Sequence, residues 1–156
     1  MFGIFMKSWR VGIVTRPKQK KNKNFGRSWH IRHVDCGSCN GCDWEMNALL
    51  NPVYDLQRYG LDFVASPRHA DILMVTGSMT KHLQVALVKT FEATPAPKQV
   101  VAVGDCACNG GIFKNSYATL GGVEQVVPVN IKIAGCPPSP QEILDVLTRN
   151  LRKSVV

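Results

Sequence analysis

No stretch of the sequence reaches the ~20 consecutive apolar residues that a membrane-spanning helix needs. The N-terminus also lacks a long apolar core followed by a small-residue cleavage site, so export is not expected. Acidic residues are scarce, 11 against 19 Lys and Arg, and none precedes Asp35. Nine basic residues (Lys7, Arg10, Arg16, Lys18, Lys20, Lys21, Lys23, Arg27 and Arg32) come before it, more than the whole net charge of +8. The excess therefore belongs to an N-terminal arm, and the remaining body is close to neutral. That distribution argues against a nucleic-acid module, which needs a basic face on its folded domain. There is no internal repeat, and the only low-complexity stretch is the Lys/Asn-rich part of the arm. A hydrophobic fraction of 45% with β-branched runs excludes a disordered chain.

What is present is an alternation of strand and helix signals. After the arm (residues 1–30), which mixes Phe2, Phe5 and Trp9 with its basic residues as an amphipathic helix or extended segment, IRHVD reads as a strand from Ile31. A helix is predicted before Pro52, and strands in DFVAS, ADILMVTG, KQVVAVGD and VPVNIKIAG. A helix in KHLQVALVKTFEA is stopped by Pro95 and Pro97, and a last helix opens at Ser139-Pro140 and ends in basic residues. Strands alternating with helices predict an α/β domain over residues 31–153 with a parallel sheet flanked by helices.

Six cysteines in a chain without an export signal point to metal ligation rather than disulfides. Each follows a predicted strand: Cys36, Cys39 and Cys42 after Asp35, Cys106 and Cys108 after Gly104, and Cys136 after Ala134. In an open parallel sheet the loops beyond the carboxyl ends of the strands share one crevice, so distant cysteines converge there. Glycines flank them in CGSCNGC, GDCACNGG and AGCPP, letting amide groups approach a bulky anionic group such as an iron-sulfur cluster. Pro137 and Pro138 stiffen the last of these loops. A Cys-x-x-Cys pair also serves zinc or a redox dithiol. Zinc sites usually pair two such knuckles, whereas Cys106 and Cys136 stand apart. A dithiol would leave the shared strand-end placement without a purpose.

The segments HVDCGSCNGCDWE, SPRHADILMVTG, GDCACNGGIF and AGCPPSP resemble the small subunit of membrane-bound, energy-converting NiFe hydrogenases, a group related to the cluster-bearing subunit of respiratory complex I. The likeness runs from about Ile31 to Leu147. It implies a flavodoxin-like fold and one 4Fe-4S cluster held by Cys39, Cys42, Cys106 and Cys136. Cys36 and Cys108 are then non-ligands, with Cys106 against Cys108 as the open choice. It further implies electron transfer to or from a NiFe large catalytic subunit for proton reduction to hydrogen, with possible coupling to ion translocation. The implied partners are that large subunit, a ferredoxin-like iron-sulfur subunit and an integral membrane anchor, at the cytoplasmic side of the membrane. The complex I type usually has its first two ligands adjacent. Here Asn40 and Gly41 separate them, which favours hydrogenase over a complex I-like quinone oxidoreductase, with a zinc or nucleic-acid module as a further alternative. Uptake-type hydrogenases have longer small subunits with additional clusters, for which this chain is not expected to have room.

Glu45 resembles an acidic position in the family and is a candidate proton relay, although a helix-start carboxylate explains it equally well. His33 and His69 are expected to make ordinary polar contacts rather than to bind metal, and Trp44 and Met46 to serve packing or an interface. The arm suits docking to a partner subunit or a membrane surface.

Overall fold

Five apolar runs become strands in the computed structural model, which describes residues 28–153. They are β1 (Trp29–Asp35), β2 (Leu61–Phe63), β3 (Ile72–Thr76), β4 (Gln99–Val103) and β5 (Ile131–Ile133), interleaved with α1 (Gly41–Ala48), α2 (Gln84–Ala93), α3 (Asp105–Asn109) and α4 (Pro140–Lys153). All strand pairs are parallel, in the order β2-β1-β3-β4-β5, which is the flavodoxin-like order. The predicted α/β class and flavodoxin-like sheet are therefore present. Residues 1–27 of the arm, with the amphipathic helix or extended segment predicted there, lie outside the described residues.

The alternation within each strand divides the core between two faces. All of β3 is buried, and its side chains go alternately to either side of the sheet. Ile72 and Met74 pack with Met46 of α1 and with Ile143 and Leu147 of α4, whereas Leu73 and Val75 pack with Leu87 of α2 and with Val100 and Ala102 of β4. Helix α4 begins where Ser139-Pro140 predicts it. The Ser139 hydroxyl accepts from the Glu142 amide at 3.4 Å, and the Glu142 carboxylate accepts from the Ser139 amide at 2.8 Å, a capping box. Because Leu147 is fully buried against the sheet, Leu147→Ala is expected to cost about 2–5 kcal/mol, measured by urea unfolding.

Several boundaries differ from those predicted. Strand β1 begins two residues early, at Trp29, whose amide donates to Gly60 O at 2.8 Å. Strand β2 stops at Phe63 because the chain turns into Ser66-Pro67, where the Ser66 hydroxyl caps a short 3-10 turn. Strand β5 is short because the Val127 amide is already bonded to Val123 O at 3.1 Å and Pro128 has no amide to give. Helix α2 starts only at Gln84, since the Lys81 amide donates to Ala118 O at 2.9 Å in a cross-connection.

Candidate metal centre

The first cysteine loop is held open from below. Asp35, the last residue of β1, accepts the amides of Gly37 at 2.8 Å and Ser38 at 2.7 Å through one carboxylate oxygen, turning the chain away from the sheet. Asn40 takes a left-handed conformation (φ 67°) that redirects the chain into α1, leaving Cys39 before the helix and Cys42 within its first turn. The next residue, Asp43, anchors the helix start. It accepts hydrogen bonds from Thr76 Oγ1 at 2.7 Å, from His33 Nε2 at 2.9 Å, and from the Ser38 hydroxyl. Burial holds the His33 pKa below its ordinary value despite Asp43.

The other two cysteine loops are tied to each other. Gly104 donates to Ile133 O at 2.8 Å, Asp105 donates its amide to Gly135 O at 2.9 Å, and the Asp105 carboxylate accepts the Gly135 amide at 2.9 Å. Cys106 lies in the first turn of α3 and Cys136 just beyond β5. Cys39, Cys42, Cys106 and Cys136 together line a cavity of about 90 Å³ at the carboxyl ends of β1, β4 and β5, floored by Gly77, Gly135 and Pro137. Two glycines make the close approach possible. A Cβ on Gly104 (φ 87°) would stand 2.5 Å from Cys42 Sγ, and one on Gly77 (φ 77°) would stand 2.4 Å from the Ser38 amide nitrogen.

The electrostatics of this cavity favour a cation. Burial first, then Asp43 and the other three cysteines, push the Cys42 thiol up to about 11. Cys106 is raised by burial and then by Cys136 and Cys39. Metal binding would relieve that mutual repulsion and release the protons. Four thiolates form a soft donor set suited to iron-sulfur, zinc or copper(I). All four sulfur-bearing side chains border this one cavity.

Cys36 and Cys108 are placed elsewhere. Cys36 is fully buried on the α2 side of the sheet with Leu73 and Val75, where burial pushes its thiol up to about 12. Cys108 turns its thiol toward Ala102 O (3.7 Å) and Ile133 O (3.6 Å), away from the cavity that Cys106 lines. Glu45 is half-buried on α1, one turn beyond Cys42, and is not among the residues lining the cavity. His69 is exposed in a 3-10 turn. Met46 is a core residue, whereas Trp44 is 72% exposed. Sequence reasoning missed the supporting carboxylates Asp43 and Asp105; the signal available was that each directly adjoins a cysteine.

A second, larger cavity of about 440 Å³ opens beside the first, walled by Cys39, Cys106 and Cys136 and by Ile112, Phe113 and Lys114. Ile112 is 87% exposed and Phe113 40%, so part of the wall beside the thiols is apolar and uncovered.

A parallel sheet with thiols gathered at its strand ends defines an α/β domain with a candidate metal-ligand set in its crevice, and the proteins it is similar to are subunits of oxidoreductases. The chain belongs to the NADH ubiquinone oxidoreductase 20 kDa subunit family, whose model matches residues 39–150. It is 44% identical over 131 residues to the probable membrane-bound hydrogenase subunit mbhJ of Pyrococcus furiosus, covering 84% of this chain and 78% of that protein. It is 43% identical over 122 residues to formate hydrogenlyase subunit 7 of Escherichia coli, covering 78% of this chain but 48% of the relative, so it spans about half that protein's length. Among solved structures, the membrane-bound sulfane sulfur reductase, an archaeal respiratory membrane complex, contains a chain matching with TM-score 0.71 and 34% identity over 83% of this chain and 71% of that one. The Pyrococcus relative and the sulfane sulfur reductase are named as membrane-bound, and among the described residues of this chain no helix is long and apolar enough to cross a membrane.

Proposed function

We propose that the chain is the electron-transfer small subunit of a membrane-bound NiFe hydrogenase and holds one 4Fe-4S cluster through Cys39, Cys42, Cys106 and Cys136. The observation that carries this reading is the convergence of these four thiols, from the ends of three strands, on one cavity. The cavity suits the group: its donors are soft, four of them border one space, and Gly104 keeps that space clear of a Cβ. When bound, the cluster would supply one-electron transfer to or from a NiFe site in a large catalytic subunit, for proton reduction to hydrogen.

The chain's own residues do the rest. Cys42 and Cys106 give up protons to become ligands. Asp35, Asp43 and Asp105 hold the three cysteine loops so that little moves when an electron arrives. Ile112 and Phe113 form an apolar wall that the large subunit would cover, excluding water from the thiols, and the exposed Trp44 of α1 offers it further apolar surface. A ferredoxin-like iron-sulfur subunit and an integral membrane anchor would complete the complex, with this chain peripheral on the cytoplasmic side. Ion translocation would belong to the membrane subunits. Glu45, a turn beyond Cys42 and facing no partner among the hydrogen bonds of the described residues, is retained as a proton-relay candidate.

The resemblance to the sulfane sulfur reductase chain supports a second reading, in which the same cluster feeds reduction of a sulfur chain instead of protons. The intact complex separates the two. Iron with acid-labile sulfide and hydrogen-dependent dye reduction are expected; sulfane reduction without hydrogen turnover would establish the second reading, and zinc in place of iron would sink both.

A further inference from the structure

We propose that Asp105 sets the reduction potential of the cluster: it fixes the Cys106 and Cys136 loops to each other and places an unneutralised negative charge on the cavity wall. This rests on the cluster reading above. Strands β4 and β5 end their register at Val103 and Ile133. Beyond that point Gly104 and Asp105 continue the pairing through backbone bonds to Ile133 O and Gly135 O, and the Asp105 carboxylate, not another peptide carbonyl, takes the Gly135 amide at 2.9 Å. One oxygen is thereby used for positioning. The other has no hydrogen-bond or ion-pair partner among the described residues, and Lys114, which lines the neighbouring cavity with Asp105, forms no ion pair with it.

Asp43, beside Cys42, is a contrasting case. Its two oxygens accept from Thr76, His33 and Ser38, so side-chain donors already spread its charge. Asp105 lines the cysteine cavity itself and has no such set. Net charge and hydrogen bonding near the sulfurs are the levers that set a cluster's potential, and a carboxylate in a half-buried wall disfavours an added electron.

The test is an EPR-monitored redox titration of the intact complex. Asp105→Asn keeps an acceptor oxygen for the Gly135 amide while removing the charge, and is expected to load the cluster fully but titrate at a more positive potential. Asp105→Ala removes both, and is expected to lower cluster occupancy as well. Asp145→Asn, on the exposed face of α4, serves as a control for overall charge and is expected to leave the potential unchanged. An unshifted potential in Asp105→Asn, or the same shift in Asp145→Asn, would overturn the inference. A wild-type complex with no cluster signal would instead defeat the reading on which it rests, so the two failures are distinguishable.

Discussion

Cys106→Ala is expected to strip the cluster from the assembled complex, while Cys108→Ala leaves it in place. The two cysteines are two residues apart on a single five-residue helix, so the contrast tests side-chain direction rather than location in the fold. Cys106 lines the cavity with the other three thiols; Cys108 points back to the carbonyls of Ala102 and Ile133. Losing the first removes one of four ligands, which leaves an iron open to solvent. Losing the second removes only a weak sulfur hydrogen bond, worth well under the ~1 kcal/mol of an ordinary one. EPR amplitude and iron content of the purified complexes read the difference. Equal loss in both variants would sink the ligand assignment.

Gly104→Ala is expected to damage the site more than the fold. At φ 87° and ψ 158° an alanine is strained, by about 1–3 kcal/mol. Its Cβ would also meet Cys42 Sγ at 2.5 Å. That sulfur can escape only by rotating out of the cavity, so the clash is relieved at the expense of a ligand. Gly121→Ala separates the two effects, because Gly121 has φ 94° but nothing within 4 Å of its Cβ position. Both variants are expected to lower the thermal midpoint by a comparable few degrees. Gly104→Ala alone is expected to lose cluster absorbance; the same loss in Gly121→Ala would place the cause in general strain.

Much of this arrangement was legible in the sequence. Buried runs such as Ile72–Thr76, alternating with helical segments, define a parallel sheet, and a parallel sheet brings its strand ends together. Alternation does not, however, order the strands, and the 2-1-3-4-5 order entered through resemblance. Helix α3 was not foreseen because five residues are too few to display a period. That omission is why Cys106 and Cys108 could not be told apart from spacing alone. The support beneath the first loop was hidden for another reason: His33 and Thr76 are 43 residues apart in sequence, as are their strands, and meet at Asp43 only once β1 and β3 are paired. Contacts of that range leave no local pattern.

The thiol cavity draws its walls from β1, β4 and β5, which span nearly the whole described chain and include the outermost strand on one side. A fragment that ends before β5 lacks Cys136 and cannot form it. Insertion of the proposed cluster would therefore act as a quality check on the finished sheet: a chain whose last strand has not docked offers at most three of the four sulfurs. Once loaded, the cluster would clasp the loop after β1 to the loop after β5, and its removal would be felt as a loosening of β5 before any other strand.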